Sequence, residues 1–485
     1  MTSTEPLAEP PTTPHTGSTH PHSASAPTGG TAGGPTTPEA TSQARRKAFV
    51  GATVGHLIEW YDYGIYGFLA VYVGANFFIS DDPLVGILSA FAVFALSFFI
   101  RPLGGLFFGP LADKIGRRNT LLIVLTMMCS ATMLIGLLPT AHTIGVVAPI
   151  LLVFLRLVQG FSAGGEISTI TAFISEYSTK YTRGTATSLL MVTAALGLLT
   201  GAVVGNGLSW ILGTETMTEW GWRIPFIIAG PLGAVAIFIR MRLEDSPEFK
   251  TLQKENRLSK APLRDALRYP RQLLLVAAVI TLLASSFYLV MTYLTTHLNT
   301  ILGLSWGGTF TYVLLAGVIG MVLMPVGGRI TDRLGRRRNY LLVTSVFLAA
   351  AAGWFFWSAP NAETPLGLLP SLIALAVGFG LYCGVPYATM SELLPTHVRS
   401  TGIALGYNIP VAVFGGSAPF IASWLIQSTG DVASPGLFFI FTAAVSFVGT
   451  LFLREQDLLG KEKVQAHSEA TARSVTEEIS EKAER

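Results

Sequence analysis

The sequence predicts an all-α membrane protein with twelve transmembrane helices, arranged as two six-helix bundles related by pseudo-symmetry. The first supporting observation is composition: 50% of the 485 residues are hydrophobic and only 13% are charged, whereas soluble domains carry about 25% charged residues. The second is a phrase that occurs twice, at 109–118 as GPLADKIGRR and, 219 residues later, at 328–337 as GRITDRLGRR. Each copy lies between two long apolar runs, so the duplication predicts two related bundles.

Twelve apolar runs in the sequence are long enough to cross a bilayer, which takes about 20 mostly apolar residues. The runs are 48–75, 83–110, 120–138, 147–174, 184–212, 222–240, 272–297, 308–328, 339–358, 365–391, 400–428 and 432–453. A charged stretch separates the first six runs from the last six. The predicted organisation is a tail at 1–44, a first bundle at 45–240, a central loop at 241–271, a second bundle at 272–455 and a charged tail at 456–485.

The N-terminal tail differs sharply from the apolar chain that follows it. Residues 1–44 are rich in Pro, Thr, Ser, Gly and His and contain no apolar stretch. This composition predicts a disordered segment rather than a signal peptide or a span. An alternative is a misassigned start, so whether 1–44 belongs to the mature protein stays open.

The distribution of lysine and arginine predicts the orientation in the membrane. Arg45, Arg46 and Lys47, both copies of the repeated phrase and the central loop fall on one face. The short segments on the other face contain no lysine or arginine, except for Arg223 at the mouth of span six. We therefore expect a multi-pass protein of the cell membrane with both termini in the cytoplasm.

The repeated phrase is expected to form a gate on the cytoplasmic face. Its aspartate can accept hydrogen bonds from the unpaired N–H groups of a helix N-terminus, and its arginines can pair with Glu176 and Glu392, which end spans four and ten. A second repeat supports this, because an arginine follows each glutamate by seven residues with an offset of 216 between the copies. The alternative is that these basic residues only set the topology. The predicted gate residues are Asp113, Arg117, Arg118, Glu176, Arg183, Asp332, Arg336, Arg337, Glu392 and Arg399.

Five ionisable residues, all in the first half, are predicted to lie well inside the spans: Glu59, Asp62, Arg101, Arg156 and Glu166. Such residues are costly in hydrocarbon and usually line a cavity, so we expect one nearly balanced cluster. A buried carboxylate that loses its arginine partner takes up a proton, and this step can couple proton entry to solute movement. The alternative is a set of ion pairs that only hold the bundle together.

Polar side chains also suggest where a solute would bind. On span one, His56, Glu59, Asp62, Tyr63 and Tyr66 share one helical face. On span seven, Tyr288, Thr292, Thr295 and Asn299 form a second stripe, and Tyr382, Tyr387 and Asn408 are further candidates, although each tyrosine could instead serve packing. Tyrosine and asparagine suit a carboxylate or zwitterion, and tyrosine faces attract quaternary ammonium groups. The predicted substrate-binding residues are Arg101, Tyr63, Tyr66, Tyr288, Thr292, Tyr382 and Asn408.

Several motifs resemble those of known transporters. The pattern G-x-x-x-D-[KR]-x-G-R-R after spans two and eight is similar to the cytoplasmic signature of the major facilitator superfamily. The succession EWYDY at 59–63, RPLGG at 101–105, QGFSAGGE at 159–166 and WGWRIPF at 220–226 resembles the metabolite:proton symporter family. The resemblance covers about 45–455 and implies the major facilitator fold with alternating access. It also implies that Glu59 and Asp62 are proton-linked acids and that Arg101 and Arg156 are their partners or a carboxylate clamp.

The resemblance predicts proton-coupled symport of a small carboxylate-bearing metabolite, with Glu59, Asp62, Arg156 and Glu166 as the proton-coupling residues. A compatible solute such as proline or glycine betaine is favoured over an organic acid such as 2-oxoglutarate, citrate or shikimate. Two alternatives stay open, a proton-coupled exporter and a nutrient sensor without transport. We expect the substrate, protons and the lipid bilayer as partners, and no enzymatic activity, cofactor, metal, nucleic acid or obligate protein partner. His56 departs from the pattern, since relatives commonly have Asn there.

Overall fold

A computed structural model of the protein describes residues 38–79, 83–179, 181–256 and 258–458, and every assigned element in them is a helix. The two predicted tails, apart from the helical residues 38–44 and 456–458, lie outside the described residues. All contacts reported below lie within the unit Ala44–Arg485.

The predicted apolar runs all correspond to helices. Ten helices are long and apolar enough to cross a membrane, counted over the described residues. The other two are span one, whose apolar sequence is interrupted by Glu59 and Asp62, and span twelve, which has 17 residues. Spans one to six are Pro38–Phe77, Pro83–Phe99 with Arg101–Ile115, Arg117–Leu137, Val147–Tyr177, Arg183–Thr216 with Met217–Gly221, and Arg223–Met241. Spans seven to twelve are Pro270–Ile301, Trp306–Leu334, Arg337–Ser358, Leu369–Cys383 with Pro386–Leu393, Arg399–Pro410 with Val411–Gly416 and Ala418–Thr429, and Pro435–Leu451.

The halves pack most extensively where span two meets span eleven and where span five meets span eight. Small residues let these helices approach closely. A Cβ atom on Gly328 would lie 2.5 Å from the carbonyl oxygen of Gly184, and one on Gly109 would lie 3.0 Å from the Cα of Thr401. The first glycine of each repeated phrase is therefore a contact point between the halves.

The second glycine of each repeated phrase makes the turn to the next span. Gly116 has φ +100° and Gly335 has φ +63°, values that glycine adopts without steric cost. Both turns lie on the same end of the bundle, which we call the basic face because the repeated arginines follow them.

Span seven departs from a regular α-helix. Its segments Leu289–Tyr293 and His297–Ile301 are π-helical, and each π turn takes in an extra residue that rotates the side chains beyond it. Tyr288 is buried, Thr292 is exposed, and Asn299 donates a hydrogen bond to the Leu304 carbonyl at 2.8 Å. The predicted polar stripe along span seven is wrong for this reason.

Candidate functional site

The two repeated aspartates lie at helix N-termini of the opposite half. Asp113 accepts hydrogen bonds from the backbone N–H of Thr401 at 2.9 Å and from its hydroxyl at 2.7 Å. Asp332 accepts from the N–H of Gly184 at 2.7 Å and from the N–H of Thr185 at 2.8 Å. The unpaired N–H groups and positive dipole of a helix start favour a carboxylate, so each aspartate ties the end of its own helix to the other half.

Glu176 is held by arginines from both halves. Arg117 of the same half lies 3.1 Å from its Oε1, and Arg399 of the other half lies 2.9 Å from the same atom. Arg117 also pairs with Asp113 at 3.2 Å. Both carboxylates are thus part of one buried group that crosses between the halves.

Glu392 has the matching arrangement. Arg337 of the same half contacts its Oε2 at 2.7 Å and its Oε1 at 3.0 Å, and Arg183 of the other half lies 3.7 Å away. Arg337 also pairs with Asp332 at 3.2 Å. We call these two symmetric groups together the basic-face network. Its members are Asp113, Arg117, Glu176, Arg183, Asp332, Arg337, Glu392 and Arg399.

The central loop adds a member that the sequence did not reveal. Glu248, in the short helix Pro247–Lys254, accepts hydrogen bonds from Arg399 at 2.8 Å and from the Thr396 hydroxyl at 2.9 Å, and lies 4.0 Å from Arg183. Burial acts to raise the pKa of Glu248, but Arg399, the Thr396 hydroxyl and Arg183 together outweigh this and hold the pKa below its usual value. The neighbouring Ser246 donates a hydrogen bond to Glu176.

Two arginines predicted for the gate lie outside this network. Arg118 donates to the carbonyl of Met241 and to the side chain of Asn119. Arg336 is exposed and has no ion pair within the described residues. The basic-face network therefore uses the first arginine of one copy of the phrase and the second arginine of the other.

Deeper in the bundle, the Arg101 guanidinium is buried against aromatic rings. It lies 4.6 Å from the ring centroid of Tyr63 and 4.4 Å from that of Phe98. Glu59, Tyr288 and Tyr407 also lie near it. No carboxylate in the described residues comes within ion-pair distance of Arg101. The Arg101 charge therefore has no direct ion-pair partner among the described residues.

Several polar atoms around Arg101 are buried without a hydrogen-bond partner in the described structure. They are Nε and Nη2 of Arg101, both carboxylate oxygens of Glu59, the indole N–H of Trp60 and the hydroxyls of Tyr63 and Tyr288. The Tyr63 hydroxyl faces the guanidinium without hydrogen-bond geometry. Buried polar groups are normally paired, so this concentration of unpaired donors and acceptors marks a place suited to a polar ligand. We call these five residues the central cluster.

Asp62 forms a separate group beside the central cluster. Its carboxylate lies 3.3 Å from Arg156 and accepts a hydrogen bond from Gln159 at 3.0 Å. Arg156 stacks on the Tyr66 ring at 3.4 Å, and the Tyr66 hydroxyl donates to the Ala90 carbonyl at 3.0 Å. Tyr66 is therefore occupied within the first half, and Arg156 is paired with Asp62, although its Nε and Nη2 have no hydrogen-bond partner in the described structure.

Glu166 pairs with an arginine that the sequence analysis did not include. Arg240, at the end of span six, lies 2.7 Å from Glu166 and also donates to the carbonyls of Gly51, Ala52 and Leu121. The expected single cluster of five charges is therefore corrected to three groups. Arg240 was missed because it lies at the end of an apolar run, where it counted as a boundary residue.

The other predicted binding residues of spans ten and eleven form hydrogen bonds within the protein. The Tyr382 hydroxyl donates to the Val279 carbonyl at 2.9 Å and contacts the Ser446 hydroxyl at 2.5 Å. The Asn408 amide donates to the Gly164 carbonyl of the other half at 2.9 Å. Tyr387 and Tyr407 join through their hydroxyls at 3.2 Å. Tyr288 is the one second-half candidate among the five members of the central cluster.

Comparison with known proteins agrees with this architecture. Among relatives, the proline/betaine transporter of Salmonella typhimurium is 36% identical, covering 84% of this chain and 83% of that protein. The citrate-proton symporter of Klebsiella pneumoniae is 32% identical, covering 84% of this chain and 92% of that protein. The solved proton:xylose symporter XylE superposes with a TM-score of 0.66 at 17% identity, covering 85% of this chain and 95% of that one, which shows a shared fold.

These relatives confirm the resemblance to metabolite:proton symporters that the motifs predicted. The sequence pattern of the Major Facilitator Superfamily matches residues 52–417, which is more than half of the chain. The protein therefore belongs to the Major Facilitator Superfamily.

Proposed function

We propose that the protein is a proton-coupled symporter that takes up a small carboxylate-bearing metabolite. A compatible solute such as proline or glycine betaine is the preferred substrate over an organic acid such as 2-oxoglutarate, citrate or shikimate. The relatives named for proline/betaine transport and for citrate-proton symport support this range. The observation that carries the proposal is the central cluster, in which Arg101 has no ion pair and Glu59 accepts no hydrogen bond within the described residues.

The distribution of cations favours a single carboxylate on the substrate. Arg156 is paired with Asp62 and Arg240 with Glu166, whereas Arg101 has no ion pair within the described residues. A guanidinium binds one carboxylate through two parallel hydrogen bonds. Proline and glycine betaine carry one carboxylate, whereas citrate carries three and would bring uncompensated charge into a buried site.

The aromatic residues suit the cationic end of the same substrates. Trp60 lies 6.4 Å from Tyr288 and 5.0 Å from Phe287, measured between ring centroids, so rings from both halves meet at the central cluster. Aromatic faces attract ammonium and quaternary ammonium groups. Glu59 adds a negative charge nearby. We infer that Arg101 binds the carboxylate of the substrate and that Trp60, Tyr63 and Tyr288 surround its nitrogen.

Proton coupling is assigned to Glu59, Asp62, Arg156 and Glu166. A carboxylate in a low-dielectric site stays ionised beside a guanidinium and takes up a proton when that partner moves away. Each proton that enters contributes about 2.3 kcal/mol per 100 mV of membrane potential, which drives the solute inward.

The basic-face network is proposed as the cytoplasmic gate of a cell-membrane protein whose two termini are cytoplasmic. Its cross-half contacts, from Arg399 to Glu176 and from Asp332 to Gly184, must break before the halves can separate on that face. The same contacts re-form when the substrate site faces outward. Alternating access then follows from rocking of the two halves around the central cluster.

The test is uptake of labelled proline, glycine betaine, 2-oxoglutarate, citrate and shikimate into proteoliposomes, with and without an inward proton gradient. We expect gradient-dependent accumulation of proline or glycine betaine. Accumulation of a dicarboxylate or tricarboxylate alone would contradict the substrate assignment. Gradient-driven extrusion without uptake would show an exporter instead.

A further inference from the structure

His56 lies near two carboxylates that belong to different spans. Its Nδ1 is 3.4 Å from Oε2 of Glu59, one turn away on span one. The nearest functional atoms of His56, Glu59 and Glu166 of span four all lie within 4.8 Å of one another. The imidazole is 0% exposed. It therefore adjoins both acids and is screened from solvent.

The imidazole has no competing hydrogen bond. Neither ring nitrogen has a partner in the described structure, and neither does either oxygen of Glu59. The charged groups that face His56 from other spans are Glu166, Arg240 of span six and Arg101 of span two. The Leu190 carbonyl of span five also faces the ring, but without hydrogen-bond geometry. Nδ1, the nitrogen that adjoins Glu59, is thus free of any hydrogen bond that would compete with proton transfer.

The two acids beside His56 belong to different groups of contacts. Glu59 is a member of the central cluster, whereas Glu166 is bound to Arg240, which also holds the carbonyls of Gly51 and Ala52 near the basic face. At about 1.5 Å per residue, Gly51 lies roughly 12 Å nearer that face than Glu59. Through Arg240, Glu166 is therefore linked to the part of span one that lies nearer the basic face.

We propose that His56 relays the coupled proton from Glu59 to Glu166. The Glu59 carboxyl gives its proton to Nδ1, and the resulting imidazolium then gives a proton to the Glu166 carboxylate. The ring ends neutral, Glu59 ends ionised, and protonated Glu166 loosens from Arg240 before releasing its proton at the basic face. A small side-chain rotation closes the distance for the second transfer.

A proton fits this cluster better than a metal ion. Arg240 already supplies the positive charge beside Glu166, and Arg101 lies close to Glu59. A divalent cation would be placed between two guanidinium groups and repelled by both. A proton adds to a carboxylate without bringing a new multiply charged centre.

This relay rests on the proposed symport, and its test separates the two. We would compare His56→Gln and His56→Asn with the wild type, and with His297→Gln as a matched control. His297 is also fully buried with both nitrogens unpaired, but it lies among Tyr293, Phe355 and Phe356 of the second half. Two rates are measured in proteoliposomes: substrate exchange, which needs no net proton movement, and net uptake driven by a proton gradient over a range of lumenal pH.

We expect both His56 variants to exchange substrate near the wild-type rate and to lose about 100-fold in net uptake, the usual contribution of a positioned acid–base group. His297→Gln should keep both rates. Net uptake with a wild-type pH profile in the His56 variants would overturn the relay alone. Loss of exchange in both variants would also overturn it, because His56 would then be needed for binding or folding. If net uptake by the wild-type protein does not depend on the proton gradient, both the symport and the relay are overturned.

Discussion

The two neighbouring arginines of the second repeated phrase provide a direct test of the gate. Arg336 is exposed, whereas Arg337 is buried and makes charged contacts to Glu392 at 2.7 and 3.0 Å and to Asp332 at 3.2 Å. Arg336→Gln and Arg337→Gln each remove one positive charge from the same loop. A role in topology alone predicts equal effects, whereas a gate predicts an effect of Arg337→Gln only.

The magnitude follows from the contacts that Arg337 supports. Without it, Asp332 and Glu392 remain buried with one fewer partner, and these are the acids that bind Gly184, Thr185 and Arg183 of the other half. Breaking a buried ion pair costs about 3–5 kcal/mol. At the lower figure, the ratio of closed to open basic face falls by roughly 100-fold, since about 5.5 kcal/mol corresponds to a 10⁴-fold shift.

The assay is a distance measurement across the basic face. Spin labels at Lys114→Cys and Arg333→Cys, both exposed positions in the two copies of the phrase, are placed in a background that lacks the buried Cys129 and Cys383. We expect a longer, broader distance distribution for Arg337→Gln and an unchanged one for Arg336→Gln. Identical distributions for the two variants would refute the gate and leave topology as the role of the phrase.

Three further predictions concern single residues. Asp62→Asn should keep substrate exchange but abolish accumulation driven by a pH gradient, and full accumulation would move the coupling to Glu59. Arg101→Lys keeps the charge but loses the paired hydrogen bonds. The apparent substrate affinity should therefore fall by about tenfold, which corresponds to the loss of one hydrogen bond to a charged group. An unchanged affinity would show that Arg101 does not bind the substrate. Glu248→Gln should destabilise the closed basic face at neutral pH, so the distance between the same two labels should increase. An unchanged distance would exclude a role of Glu248 in closure. The pKa of Glu248 is depressed in the folded protein. Its stabilisation of the closed basic face is therefore fully present above the usual glutamate pKa of about 4.3 and is lost as the pH falls through the lower folded pKa. The distance between the labels in the wild type should therefore increase only in acid.

The sequence could predict the spans and the repeated phrase because both depend on local composition and on duplication. Long apolar runs mark spans wherever charges are few, and the nearly equal offsets of 219 and 216 pair Asp113 with Asp332 and Glu176 with Glu392. The described helices follow the predicted runs closely for this reason.

The partners of the buried charges could not be predicted in the same way. Which arginine meets Glu166 depends on how spans four and six pack, and the answer is Arg240. Glu248 has no counterpart in the repeat, because the central loop occurs once. The π turns of span seven changed the face on which Thr292 lies. These features depend on tertiary packing, which periodicity in one span does not report.

The central claim is that substrate and proton enter together. The most direct measurement is the lumenal pH of proteoliposomes, followed with a trapped dye after external proline or glycine betaine is added without an imposed proton gradient. The account predicts acidification of the lumen by the wild type and none by Asp62→Asn. Substrate uptake by the wild type with an unchanged lumenal pH would contradict it.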